Sequence, residues 1–148
     1  MDDILKGVAD FIAAGDTEKK FKAVYYSEYL DECIAKNKTP FINIIGPRKR
    51  RFPLQGFSFN KSTRRGFDIS IVIVQDAKLM KKVVHGSDSI WSLEDYLWDI
   101  IDADQTFGGI VRAIDEKPIE SKLVMITKDN SIKLGLEIEL TLTKDVFK

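Results

Sequence analysis

Near the C-terminus, Ile132, Leu134, Leu136, Ile138, Leu140 and Leu142 stand at every second position, with Lys133, Gly135, Glu137, Glu139 and Thr141 between them. Only an extended chain, whose successive side chains point to opposite sides, gathers such a set on one face. The run predicts a long strand with one face in a core and the other against solvent or a second surface.

A strand with a buried face needs partners and a covering layer, and the rest of the chain offers both. Phe41-Ile-Asn-Ile-Ile45 follows Pro40 and is closed by Gly46-Pro47, and Phe67 to Val74 is a second β-branched run; both are predicted strands. Ile4, Leu5, Val8, Phe11 and Ile12 trace a helical stripe that Asp2 or Asp3 can cap and Gly15 can end. Leu93, Tyr96, Leu97, Ile100 and Ile101 trace another, with Ser92 and Asp95 spaced as a capping box. Around Val24-Tyr25-Tyr26 the chain reads as a short strand followed by a short helix that includes Cys33 and Ile34. "IVRAI" and "KLVMIT" supply one or two more strands between the second long helix and the final one.

The expected fold is therefore α+β: one domain over residues 1–148, a mainly antiparallel sheet of about four to five strands, and two or three helices packed on it. No internal repeat or low-complexity tract divides it.

Charge is balanced overall, at 23 basic and 23 acidic residues, but it is unevenly placed. Residues 46–66 hold seven bases, Arg48, Lys49, Arg50, Arg51, Lys61, Arg64 and Arg65, and no acid, so the remainder of the chain is acidic by the same amount. With no local acids and few core residues, this segment is expected to be a projecting, mobile basic arm, partly a hairpin through Phe57-Ser58-Phe59. Two roles suit it. Its cations and Phe52, Phe57 and Phe59 match the composition of a nucleic-acid binder, while a solvated loop whose arginines pair with acids on a neighbouring subunit suits the surplus acid of the body better.

Catalytic and metal chemistry find little purchase. His85, the single histidine, lies in a loop-like stretch, and the lone Cys33 permits neither an intrachain disulfide nor a thiolate cluster. A reducing cytoplasmic setting fits that cysteine usage, and no run of about 18 apolar residues suggests a membrane span. Asp99, Asp102 and Asp104 are neighbours at a helix end without the glycine and terminal glutamate of a calcium loop. There is no phosphate-cradling glycine motif. Neither enzymatic activity nor a cofactor or metal is expected.

Taken in order, the amphipathic first helix, "VYY", "PFINIIG", "GFDISIVIV" after a variable loop, helix "SLEDYLWDIIDAD", turn "DQTFGG" and strand "IKLGLEIELTLT" span nearly the whole chain. This order resembles the tail-terminator and tail-completion proteins, also called minor tail or head-to-tail joining proteins, of long-tailed bacteriophages. Asp104, Thr106, Phe107, Gly108 and Gly109 look like that family's Asp-x-Thr-Leu-x-Gly turn, with Phe107 in place of the usual aliphatic residue. The basic segment is longer than the family leads one to expect. The resemblance implies a non-enzymatic virion protein of the tail or neck, made in the host cytoplasm. It would form a homo-oligomeric ring, expected to be a hexamer, on the head-proximal end of the tail tube. Its implied partners are its own copies, the tail tube protein, the head connector or neck protein, and DNA passing through the lumen.

Overall fold

A computed structural model describes residues 2–27, 39–51, 62–76, 90–111, 113–114, 120–128 and 131–147. Its elements are α1 (Asp2–Gly15), β1 (Val24–Ser27), β2 (Phe41–Arg51), β3 (Ser62–Asp76), α2 (Ile90–Ala103), β4 (Ala113–Ile114), β5 (Ser121–Lys128) and β6 (Ser131–Phe147). β1 runs parallel to β2, while β2 with β3 and β3 with β6 are antiparallel. The far side of β6 takes β5 along its first half and β4 at Leu142 and Thr143. The architecture is α+β, a mixed and mainly antiparallel sheet under two helices. No described helix is long and apolar enough to cross a membrane.

The β6 alternation is realised as expected: Leu134, Leu136, Ile138, Leu140 and Leu142 are all buried on one face. Ile42 and Ile44 of β2 and Ile69, Ile71 and Ile73 of β3 join them, and α1 and α2 cover the layer with Ile4, Leu5, Val8, Ile12, Ile90, Leu93, Leu97 and Ile101. Each such side chain contributes about 1.5–3 kcal/mol by leaving water, so this layer is the main source of stability. The opposite face is not uniform. Phe41, Val72 and Val74 form a second buried cluster there, with Tyr25 edge-on to Phe41 at 6.0 Å. That explains why residues 71–74 are apolar without alternation: this part of β3 is buried on both sides. Further along the same face the β3–β6 pair is polar, the Thr141 hydroxyl donating to Asp68 at 2.7 Å and the Ser70 hydroxyl to Glu137 at 3.2 Å.

Several boundaries differ from expectation. α2 begins at Ile90, so Ser92 and Asp95 lie inside the helix and form no capping box at its start. Buried Ile90 begins the apolar stripe one turn earlier than the expected one. More consequential is Gly46-Pro47, which does not end β2. Ile45 pairs with Ser70 and Arg48 with Asp68, so Gly46 and Pro47 together face the single residue Ile69: a β-bulge. Gly46 has φ 135°, and a Cβ there would stand 3.0 Å from the Asp68 carbonyl oxygen, which leaves room for glycine alone. Proline, lacking an N–H, is tolerated where the ladder is already interrupted. Beyond the bulge β2 continues to Arg51, and β3 starts at Ser62 rather than Phe67. The flanks of the basic segment are ladder strands, Arg48–Arg51 paired with β3 and Ser62–Gly66 with β6, while residues 52–61, the middle of the expected arm, lie outside the described residues. The expected hairpin around Phe57-Ser58-Phe59, the short helix with Cys33, and His85 lie outside the described residues.

Candidate assembly surface

The turn from Asp104 to Gly109 leaves the C-terminus of α2 as a closed hydrogen-bonded unit. Asp104 Oδ1 accepts from the Thr106 hydroxyl at 2.5 Å and the Thr106 amide at 2.9 Å, and Oδ2 accepts from the Gly108 amide at 3.2 Å. The Thr106 hydroxyl oxygen accepts in turn from the Gly109 amide at 3.0 Å. Aspartate and threonine are needed here because a short acceptor and a short donor-acceptor replace the helix bonds that end at Ala103. The Thr106 hydroxyl first, and then the Thr106 and Gly108 amides, hold the Asp104 carboxyl below its ordinary range. This support is complete above the ordinary carboxylate value and is lost as the pH falls through the lowered one.

Phe107, Gly108 and Gly109 all take positive φ, 51°, 74° and 88°. The two glycines adopt it freely, but Phe107 does so against its preference and is held there by burial, its ring edge-on to Phe11 of α1 at 5.5 Å. The turn is therefore a clasp between the two helices. Its polar groups are spent on one another, so its role is to fix where β4 rejoins β6.

A second clasp escaped the sequence reading. Asp16, just past α1, is only 4% exposed. Its carboxylate accepts from the Tyr96 hydroxyl of α2 at 2.8 Å and from the Lys20 and Phe21 amides at 2.9 and 3.0 Å. Burial, and next the bond to Asp16, push the Tyr96 hydroxyl above its ordinary value of 10.0. Lys20 lies over the Tyr96 ring, 4.6 Å from its centre. Nothing in "GDTEKK" distinguishes this aspartate from solvated link residues; the one legible hint was a tyrosine within the apolar stripe of α2.

Arg48, Lys49, Arg50 and Arg51 occupy the end of β2, and Arg64 and Arg65 the start of β3, so the ladder brings six of the seven predicted cations together. Lys61 lies outside the described residues. Arg48 pairs with Asp68 and Arg64 with Asp145, each opposite an acid. By contrast Arg51 pairs with Arg65, and Arg65 on its other side with Lys144, so one rung carries three cations across β2, β3 and β6. Lys144 lies almost eighty residues from the basic segment, and only the register of β6 reveals it. Asp99 and Asp102 are exposed on α2 while Asp104 is engaged in its turn, and among the described residues no group of three or more His, Cys, Asp or Glu is placed to hold a metal ion.

The sheet ends in two edges. Among the described residues β1 pairs only with β2, and β5 only with β6. Tyr26 on β1 is 42% exposed, and Leu123 and Met125 on β5 are 38% and 65% exposed. Leu123 and Met125 sit opposite Leu136 and Leu134, on the helix-bearing face. No protein-family model matches the chain, and no curated protein matches it.

Proposed function

We propose that this chain is a virion structural protein of a long-tailed phage, forming a ring that caps the head-proximal end of the tail tube. There it ends tube polymerisation and offers the surface on which the head connector docks. The observation that carries the reading is the pair of sheet edges at opposite ends of one sheet, each with exposed apolar side chains, Tyr26 at one and Leu123 with Met125 at the other. Two unlike edges on one subunit favour head-to-tail contacts, which close into rings when the rotation permits. The order of elements and the Asp104–Gly109 turn agree with the resemblance seen in the sequence.

Native mass spectrometry and negative-stain microscopy test the reading: purified protein should form closed rings, and lysates lacking it should contain overlong, headless tubes. Strictly monomeric protein, or tubes of normal length without it, would refute it.

The cationic rungs favour a second reading, a small nucleic-acid-binding accessory protein using Arg48–Arg51, Lys61, Arg64 and Arg65. Seven phosphate contacts would give a slope of log affinity against log salt of about −6 for duplex DNA. Weak binding with a shallow slope would set this reading aside.

A further inference from the structure

Four large hydrophobic side chains stand exposed among the described residues: Tyr26, Trp91, Leu123 and Met125. Exposed apolar residues scattered singly need no explanation, but these are confined to the two ends of one sheet. Tyr26 lies on β1, and Leu123 and Met125 lie on β5. The ladder places all three on one face, because Tyr26 pairs with Ile44, Leu123 with Leu136 and Met125 with Leu134, partners that all belong to the helix-covered layer. Trp91 follows them. It stands one helical turn before Glu94, which accepts from the Ser121 hydroxyl at the start of β5, so Trp91 is on the flank of α2 nearest that strand. The backbone of β1 is turned the right way as well. The Ile42 amide donates to the Ala23 carbonyl at 3.0 Å, so by alternation along the strand Val24 and Tyr26 direct their peptide groups to the outer edge.

We propose that β1 of one subunit pairs antiparallel with β5 of a second copy of the chain, with Tyr26 opposite Leu123, Tyr25 opposite Val124 and Val24 opposite Met125, so that the sheet continues from subunit to subunit. The inference rests on the ring reading and names its joint. Direction follows from the fold. β1 runs parallel to β2, and three antiparallel steps through β3 and β6 leave β5 opposed to it. Copies related by rotation about an axis along the strands keep those directions and keep the helix layers on one side, so the two edges meet antiparallel. Register follows from the side chains. Residues opposite each other in an antiparallel pair share a face, so a one-residue slip would separate Tyr26 from both Leu123 and Met125. A two-residue slip one way sets Tyr26 on Ser121 and Lys22 on Met125, and the other way carries Leu123 past Ser27, the last residue of β1. Self-pairing of two β5 strands about a two-fold axis would cover Leu123 and Met125 but leave Tyr26 exposed, and it closes after two copies.

Cysteine cross-linking reads the joint residue by residue. Within one chain β1 and β5 are separated by β2, β3 and β6, about 19 Å at about 4.8 Å per strand, so a disulfide between them must join two copies. With Cys33→Ser removing the native thiol, Tyr26→Cys with Leu123→Cys should oxidise to a series of covalent oligomers that ends at the size of the wild-type ring. Tyr26→Cys with Lys122→Cys should not, because Lys122 pairs with Glu137 on the opposite face of the sheet. Met125→Lys alters a side chain that is exposed in the subunit. It should keep cooperative thermal unfolding and weaken ring association about fivefold or more by native mass spectrometry, and it carries the test if a cysteine variant misfolds. Wild-type rings that give no cross-link between positions 26 and 123 and are indifferent to Met125→Lys would overturn the joint and leave the ring reading standing, whereas a strictly monomeric wild-type protein would overturn both. Covalent dimers from a mixture of Leu123→Cys protein with Met125→Cys protein, neither carrying a cysteine in β1, would assign β5 to two-fold self-pairing and overturn the joint.

Discussion

Strand β3 is two different strands end to end. From Ile69 to Val74 every residue but Ser70 is β-branched, buried against the helix layer on one side and, at Val72 and Val74, against a second cluster on the other. From Ser62 to Gly66 it holds Ser, Thr, two arginines and glycine, yet β6 pairs with all of it and β2 with Arg65 and Gly66. One half is held by packing, and both halves are paired along the β6 ladder. The bulge at Gly46-Pro47 sits where the two halves meet. The apolar half fixes the fold, and the cationic half extends the same ladder with a different composition.

The strongest way to test this division is to damage the apolar half. Leu136 is fully buried opposite Ile73, so Leu136→Asp places an unpaired carboxylate inside the helix-covered layer. We expect a loss of roughly 3–5 kcal/mol, enough to abolish cooperative thermal unfolding. A soluble variant with an unchanged melting temperature would mean that the buried face has been assigned wrongly.

Next in size is the junction. Gly46→Val introduces a Cβ 3.0 Å from the Asp68 carbonyl oxygen at a φ that side chains rarely adopt, and should destabilise by about 1–3 kcal/mol. The damage should be graded along the strand. Amide exchange at residues 48–51, held by the ladder beyond the bulge, should accelerate more than at residues 41–45, which are anchored by the core. Uniform acceleration would show that the two halves open as one unit.

The clasp between Asp16 and Tyr96 belongs to the packed side of the comparison. Tyr96→Phe removes one of three donors to a buried carboxylate and should cost about 1–2 kcal/mol near neutral pH. Its pH signature is specific. Because the Tyr96 value is raised by folding, its contribution is complete below about pH 10 and is lost as the pH rises through the raised value. Wild-type protein should therefore melt progressively earlier on the alkaline side, and Tyr96→Phe should lack that component of the decline.

The apolar half was readable from sequence because burial writes a period into residue type. The period-two alternation from Leu134 to Leu142 and the stripes of Ile4 to Ile12 and Leu93 to Ile101 each found their place in or against the core. The cationic half was not readable for the same reason. A strand held by backbone hydrogen bonds places little demand on its side chains, so Arg48 to Arg51 carried no strand signal, and Gly46-Pro47 looked like a stop when it is a bulge that lets pairing resume. Lys144 and the Asp16 clasp were hidden differently. Each acquires meaning from a partner in another element, Arg65 across a ladder and Tyr96 across a helix pair, and a local pattern contains neither. The Asp104 turn was visible because its aspartate, threonine and glycines answer to one another within six residues.

The smallest expected effect lies in the cationic half of β3. Arg65 is the central member of the three-cation rung, flanked by Arg51 and Lys144. Arg65→Thr substitutes a residue well suited to strands and leaves two cations in the rung in place of three, where like charges at paired positions are unfavourable by a few tenths of a kcal/mol. The isolated subunit should become more stable by about 0.5–1 kcal/mol, a rise of roughly 1–4 °C in melting temperature for a chain of this length. The gain should shrink as salt screens the repulsion in the wild-type protein. Calorimetry at low and high salt measures both. If Arg65→Thr instead destabilises the subunit, Arg65 has a compensating acid within its own chain, and the rung is part of the fold.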